Sequence, residues 1–77
     1  MRIIFTRHAL QRMNQRGVTE AQVIDALEWP DEITPGDRNE EMALKRFGVR
    51  ELRVVFEEIE PDTFLIYTVI KPKVERR

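Results

Sequence analysis

Three side chains able to do acid–base or phosphate chemistry recur every four residues near the start of the chain: His8, Arg12 and Arg16. On a helix, residues four apart project from the same side, so these three fall within about a quarter-turn of one another. Histidine carries a proton near neutral pH, and arginine binds phosphate oxygens through its planar, permanently charged fork. The spacing therefore predicts a surface suited to handling a phosphodiester.

The same stripe also has a purely structural interpretation. Ala9, Leu10 and Met13 form the apolar side of this helix, and polar residues opposite such a side are commonly a solvated face. In that case the arginines pair with distant acids, and His8 binds a carboxylate from the acidic segment 31–41. The sequence alone leaves both interpretations open.

Local signals place two helices in the first 30 residues. Thr6 is suited to cap the first helix, and Gly17 to end it in the left-handed conformation. Thr19 and Gln22 have the spacing of a capping box, which predicts a second helix beginning there. Pro30 ends that helix, because the residue before a proline is pushed out of helical geometry. The first helix carries the cationic stripe.

The second half of the chain has the pattern of an antiparallel meander. Tight turns are expected at Gly48-Val49 and Pro61-Asp62. The alternating runs around these turns predict strands over Met42–Phe47, Glu51–Glu60 and Thr63–Lys71. The turns set the strand register, and hence which side chains share a face.

Residues 1–72 are therefore expected to form a single α+β domain. Two N-terminal helices pack on a three- to four-stranded antiparallel meander sheet, with short strands also expected at Ile3–Phe5 and Glu32–Thr34. Trp29 is expected to plug the core or an edge, with a stacking platform for a base as the alternative. Residues 73–77 are expected to be a flexible basic tail.

Strand alternation assigns the sheet residues to two faces. One face is expected to collect Ala43, Lys45, Phe47, Leu52, Val54, Phe56, Leu65, Tyr67 and Val69. The other is expected to collect Met42, Leu44, Arg53, Val55, Glu57, Ile59, Phe64, Ile66, Thr68 and Ile70. Both faces are substantially apolar, and two short helices can cover only one. The uncovered face is therefore expected to meet a partner, either a second copy of the chain or another protein.

Arg53 stands among apolar neighbours on the second of these faces. It is expected either to pair with Glu57, two residues further along the same face, or to be held for a ligand. Thr68 shares that face with Arg53, whereas Tyr67 is expected on the opposite one.

Composition and charge narrow the classes of function. The 77-residue chain has no cysteine, which excludes disulfides, thiol catalysis and zinc sites built on cysteine. It has no long apolar run and no recognisable signal segment, so a cytoplasmic protein with no membrane partner is expected. The net charge of −1 argues against a dedicated, tightly binding nucleic-acid protein. Basic residues nevertheless dominate the first helix and acidic residues positions 20–41, which fits either a basic patch or ion pairs between the segments.

The residues of the first helix also match a known pattern. The run His8-Ala9-x-x-Arg12-Met13-x-x-Arg16-Gly17-Val18 resembles the opening signature of the domain of unknown function 4258 family. The similarity continues through Glu28–Ile33, Leu52–Val55 and Ile66–Val69, and so covers nearly the whole chain. That family is similar in layout to the RelE-like toxins, part of a wider group of small ribonucleases with helices followed by an antiparallel sheet.

The resemblance implies a toxin-like endoribonuclease of the toxin–antitoxin type, or a domesticated relative, with RNA and an antitoxin as partners. His8, Arg12 and Arg16 would be its catalytic residues, and Arg53 and Thr68 would bind the substrate. Cleavage through the ribose 2′-hydroxyl needs a proton carrier and charge stabilisation at phosphorus, which histidine and arginine supply. Neither a metal nor a cofactor is expected, because no pair of carboxylates is placed for metal-dependent cleavage.

A non-catalytic binding module is the competing prediction. It would use the open apolar sheet face for a protein partner and the basic stripe for a phosphate backbone. The low net charge and the two apolar faces favour this module, whereas His8 between the arginines favours the enzyme.

Overall fold

A computed structural model describes residues 1–72, and the predicted basic tail 73–77 lies outside the described residues. The described chain forms two helices and five strands. In chain order these are β1 (Arg2–Phe5), α1 (Arg7–Arg16), α2 (Glu20–Glu28), β2 (Glu32–Pro35), β3 (Glu41–Phe47), β4 (Arg50–Glu60) and β5 (Thr63–Ile70). The class is α+β, as predicted.

The predicted helix caps are confirmed. The Thr6 hydroxyl accepts a hydrogen bond from the Ala9 amide at 3.0 Å, and Gly17 ends α1 with a φ of 67°. The Thr19 hydroxyl accepts from the Gln22 amide, and the Gln22 side chain accepts from the Thr19 amide, which completes the capping box of α2. Such caps satisfy amides that the first helical turn leaves unpaired.

The five strands form one mixed sheet in the order β1-β5-β4-β3-β2. The predicted turns at Gly48-Val49 and Pro61-Asp62 are confirmed, since Phe47 lies opposite Arg50 and Glu60 opposite Thr63. The short strands predicted at Ile3–Phe5 and Glu32–Thr34 are also present, as β1 and β2. The expected strand count was too low, because β1 joins the sheet beside β5, where it runs parallel to it.

The helices cover one face of the sheet. Ala9 and Met13 of α1 and Val23 and Ala26 of α2 are buried against this face, which the core residues Ala43, Leu52, Val54, Phe56, Ile66 and Val69 line from the strands. Burying one aliphatic side chain of this size contributes about 1.5–3 kcal/mol, so this contact fixes the helices on the sheet.

A β-bulge in β5 changes the predicted faces. Val55 lies opposite Thr68, but Phe56 lies opposite Ile66, so Tyr67 is an extra residue without a partner on β4. From Phe64 to Tyr67, between this bulge and a second register shift at Glu58/Glu60, the β5 side chains are on the opposite face from the one predicted. Ile66 is buried in the core beside Phe56, and Phe64 packs against it. The prediction that Leu65 and Tyr67 share a face with Val69 was therefore wrong, because a shift of one residue exchanges the two faces.

The other sheet face is open within the described residues. Ile4, Tyr67 and Ile70 expose 38%, 36% and 41% of their surfaces there, and Met42 and Val55 are half-buried. Leu65 lies opposite Glu57 on this face and next to Ile4. We call this surface the open face.

Candidate active site on helix α1 and strand β5

The position of α1 is fixed to strand β5 at both ends. β1 pairs only with Thr63–Ile66, so the last part of β5 has no strand on that side among residues 1–72. The Thr6 amide donates to the Ile66 carbonyl at 3.1 Å, and the Thr6 hydroxyl donates to the Tyr67 carbonyl at 2.9 Å. At the other end, the Lys71 ammonium donates to the Arg16 carbonyl at 3.3 Å. The helix is therefore held along the free edge of β5.

A shallow depression of about 240 Å³ lies between α1 and this edge. We call it the α1 depression; its lining residues are His8, Arg12, Arg16, Thr68, Val69 and Ile70. Arg12 is half-buried, and His8 and Arg16 are exposed. Four of the five predicted site residues thus line one depression, in which an imidazole, two guanidinium groups and a hydroxyl face the same space.

The cationic side chains of this depression have no acidic partner among the described residues. Arg12 donates from Nη1 to Gln15 Oε1 at 3.3 Å, a neutral acceptor on the same helix. Two acids of the 31–41 segment bind Arg46 instead: Asp31 accepts from the Arg46 amide at 2.7 Å, and Glu32 pairs with the Arg46 guanidinium at 3.3 Å. Within residues 1–72, His8 makes no hydrogen bond to a carboxylate of that segment. The cations of α1 therefore form a basic patch, whereas Arg46, from a later basic segment, forms an ion pair with Glu32 of the acidic segment.

Arg53, the fifth predicted site residue, lies one strand away from the depression. It is on β4, directly opposite Ile70, and does not line the α1 depression. Its guanidinium pairs with Glu51 at 3.2 Å, so the predicted pairing with Glu57 was wrong. The Arg53 Nε is buried and has no hydrogen-bond partner among the described residues. Arg53 and Thr68 thus both lie on the open face, but only Thr68 lines the α1 depression.

A second depression, of about 380 Å³, lies on the open face and was missed by sequence reasoning. We call it the Tyr67 depression; its lining residues are Arg38, Asn39, Glu40, Val55, Glu57 and Tyr67. The Tyr67 hydroxyl donates to Glu57 Oε1 at 2.7 Å. This hydrogen bond raises the pKa of the Tyr67 phenol above its ordinary value, and desolvation and the negative charges of Glu57 and Glu40 act in the same direction. The bulge brings Tyr67 to this face, and no feature of the sequence indicates the bulge.

The positions of Trp29 and Lys71 were not predicted from the sequence. Trp29 exposes 70% of its surface, so the prediction that it plugs the core or an edge was wrong. Its carbonyl accepts from the Lys45 ammonium at 2.9 Å. Lys71, which sequence reasoning did not assign to the site, brings a cation beside Arg16.

Comparisons with known proteins place the chain by family alone. The family model described as domain of unknown function (DUF4258) matches residues 5–71. This range includes both helices and all of the sheet except the first three residues of β1. No curated protein and no solved structure matches the chain. Within residues 1–72, no helix is both long enough and apolar enough to span a membrane.

Proposed function

The chain belongs to the domain of unknown function 4258 family, and we propose that this member is a toxin-like, metal-independent endoribonuclease, or a domesticated relative of one. The observation that carries the proposal is the α1 depression, where His8, Arg12, Arg16 and Thr68 face one space. The relationship to RelE-like toxins is part of the proposal and rests on the resemblance of the helix pattern.

The phosphodiester group is bound by the two arginines of α1 in this proposal. Arg12 and Arg16 can each present two parallel N–H groups to phosphate oxygens. The Thr68 hydroxyl donates a long hydrogen bond of 3.5 Å to the Val69 carbonyl and can rotate to donate to the phosphate instead. Their charges are not neutralised by acids among the described residues, so a phosphate would be their first anionic partner. The α1 depression is shallow and open to solvent, which suits a polymer whose backbone lies across a surface.

His8 is the proton carrier in the proposed reaction. It accepts the proton of the ribose 2′-hydroxyl while the 2′-oxygen attacks phosphorus and the bond from phosphorus to the 5′-oxygen breaks. The leaving 5′-oxygen takes a proton from solvent, which reaches the exposed depression freely. The products are a 2′,3′-cyclic phosphate and a 5′-hydroxyl, and the arginines stabilise the additional negative charge on the phosphoryl oxygens in the transition state.

The test is cleavage of a mixed-sequence RNA in the presence of EDTA, with and without ribosomes. We expect wild type to cut, and His8→Ala and Arg12→Ala to reduce the rate roughly 100-fold each. Arg7→Ala is the matched control, because Arg7 is an exposed arginine of α1 that does not line the depression. Circular dichroism would confirm that each variant folds.

The outcomes separate the proposal from simple charge effects. Cutting by wild type and Arg7→Ala, lost in folded His8→Ala, would support a proton carrier at position 8. An equal loss in Arg7→Ala would indicate non-specific electrostatics instead. No cutting by wild type under either condition would contradict the nuclease.

A second candidate function is a binding module that uses the open face. Its supporting observation is the row of apolar side chains there, of which Ile4 and Ile70 are each exposed by more than a third. Exposed apolar surfaces of this kind commonly mark protein contacts. The occupant proposed for it is a second copy of the chain, with an antitoxin as the alternative partner.

A further inference from the structure

The Tyr67 depression contains groups that the proposed cleavage reaction does not use. It lies on the open face between strands β4 and β5 and the turn that precedes β3. Two carboxylates, one guanidinium, an amide and an aromatic ring face a space of about 380 Å³. That volume is within the usual range of small-molecule sites, which is roughly 300–1,000 Å³.

The turn between β2 and β3 is shaped around Glu40. The Gly36 amide donates to the Glu40 carbonyl at 2.9 Å, and the Arg38 amide donates to Glu40 Oε1 at 3.1 Å. A Cβ at Gly36 would lie 2.6 Å from Glu40 Cδ, so the Glu40 side chain occupies the space that only glycine leaves free. Arg38 and Glu40 are therefore presented to the depression by a turn with internal hydrogen bonds.

The opposite wall is formed by β4 and β5. Glu57 receives the Tyr67 hydroxyl at 2.7 Å, which fixes the carboxylate and the phenol relative to one another. Each carboxylate oxygen has two acceptor positions, so Glu57 keeps acceptor capacity for a ligand after this bond. The depression thus offers acceptors at Glu40 and Glu57, donors at Arg38, and the ring of Tyr67.

We propose that the Tyr67 depression binds a nucleobase, guanine in preference to the others, of the same RNA whose phosphodiester lies in the α1 depression. This proposal rests on the proposed RNA binding at α1. Guanine has two adjacent donors, N1–H and the N2 amino group, which one carboxylate can accept together, and its O6 and N7 can accept from Arg38. Aromatic side chains stack on unpaired bases in single-stranded RNA, which supplies the role of Tyr67.

The β-bulge connects the two depressions. Thr68 lines the α1 depression and Tyr67 lines the Tyr67 depression, and these residues are consecutive in β5. Consecutive Cα atoms are about 3.8 Å apart, so a short stretch of a single RNA strand can reach both depressions. Without the extra residue, Tyr67 would point to the core face and the base site would lack its aromatic ring.

The charge pattern favours a base over a cationic side chain of a protein. Glu40 and Glu57 would attract a lysine or arginine, but Arg38 lines the same space and would repel it. A base presents both donors and acceptors, and so matches carboxylates and a guanidinium together. An arginine-containing peptide is therefore the competing ligand in the test.

The test uses the four ribonucleoside 5′-monophosphates as probes, followed by amide NMR of the full chain at equal ionic strength. We expect the guanosine nucleotide to bind about tenfold more tightly than the adenosine nucleotide, the size expected of one charge-assisted hydrogen bond. The amides of residues 38–40, 57 and 67 should shift. Glu57→Gln should abolish the preference, since the amide replaces one acceptor by a donor, and Tyr67→Ala should weaken binding of all four.

Glu60→Gln is the matched control, because Glu60 is an exposed carboxylate of β4 that does not line the depression. Binding of the four nucleotides without preference, a preference that persists in folded Glu57→Gln, or shifts in these amides only with a Gly-Arg-Gly peptide would each overturn the base site. The assay needs no cleavage, so its result is independent of the nuclease test. RNA cutting that is unchanged in rate and base preference by Glu57→Gln would overturn the base site and leave the nuclease standing.

Discussion

The arginines of residues 1–72 fall into two groups according to their partners. Arg46 and Arg53 each pair with a glutamate of the sheet, at 3.3 and 3.2 Å. Arg12 and Arg16 have no acidic partner among the described residues. Exposed ion pairs contribute only about 0–1 kcal/mol, so the pairing matters less for stability than for availability. Arg2, Arg7, Arg38 and Arg50 also have no acidic partner among the described residues, but only Arg12 and Arg16 line one depression with His8, which is why the proposed phosphate site is placed there.

Tyr67 and Glu57 provide a direct test of the geometry at residue scale. Removing the carboxylate in Glu57→Gln should lower the pKa of the Tyr67 phenol toward its ordinary value of 10.0, because the charged hydrogen-bond acceptor raises it. The measurement is the absorbance of tyrosinate between pH 8 and 13, and it is unambiguous since the chain has one tyrosine. Glu60→Gln should leave the titration unchanged. Identical titrations of wild type and Glu57→Gln would show that the hydrogen bond is not formed.

The raised pKa of the Tyr67 phenol also makes the stability of the fold depend on pH in the alkaline range. The folded chain holds the phenol proton more tightly than the unfolded chain does, since the folded pKa is the higher. The contribution of this group is therefore complete below about pH 10 and is lost as the pH rises through the folded pKa. In Glu57→Gln that loss should be smaller.

At the scale of secondary-structure elements, Thr6 links three parts of the fold. It lies between β1 and α1, its hydroxyl caps the helix, and the same hydroxyl donates to the carbonyl of the bulge residue Tyr67. Its amide donates to the Ile66 carbonyl of strand β5. The placement of His8 relative to Thr68 therefore depends on Thr6.

Thr6→Val should reduce the free energy of unfolding by about 1 kcal/mol, because the hydroxyl that caps α1 and binds the bulge is removed while the shape is kept. Thr6→Ser retains the hydroxyl and should lose much less. Urea denaturation of wild type and both variants measures the difference. Equal stabilities of Thr6→Val and Thr6→Ser would show that neither hydrogen bond contributes.

At the scale of the whole molecule, the two faces of the sheet differ in how far they are buried. The helices bury one face, and the open face keeps apolar side chains in contact with solvent within the described residues. Neighbouring exposed apolar side chains of this kind commonly mark a contact with a partner. The second candidate function follows from this asymmetry and does not depend on the α1 depression.

Sedimentation equilibrium tests whether the open face joins two copies. If it does, wild type should approach twice the 9.2 kDa chain mass at high concentration. Leu65→Lys should return it to the monomer, because a charge would be buried in the centre of the contact. Ile24→Lys, on the exposed side of α2, is the control. A wild-type mass that stays at that of one chain over the whole concentration range would exclude the homodimer.

Local chemistry determined much of this fold from the sequence alone. The caps at Thr6, Gly17 and Thr19 and the turns at Gly48-Val49 and Pro61-Asp62 depend on residues a few positions apart, so the ends of the helices and the pairing next to each turn could be predicted. The cationic stripe of α1 follows in the same way from the helical repeat.

Only the tertiary structure decided which surfaces these elements share. The parallel pairing of β1 with β5 joins residues about 60 positions apart in sequence, and no local signal specifies it. The bulge at Tyr67 depends on how β5 meets β4 and Thr6, and it exchanged the faces of Ile66 and Tyr67. A sequence pattern indicates the secondary structure that each segment favours, whereas the contacts between distant segments depend on how the side chains pack in the folded chain. For that reason His8 and its arginines were found from the sequence, but Glu51 as the partner of Arg53 and the Tyr67 depression were not.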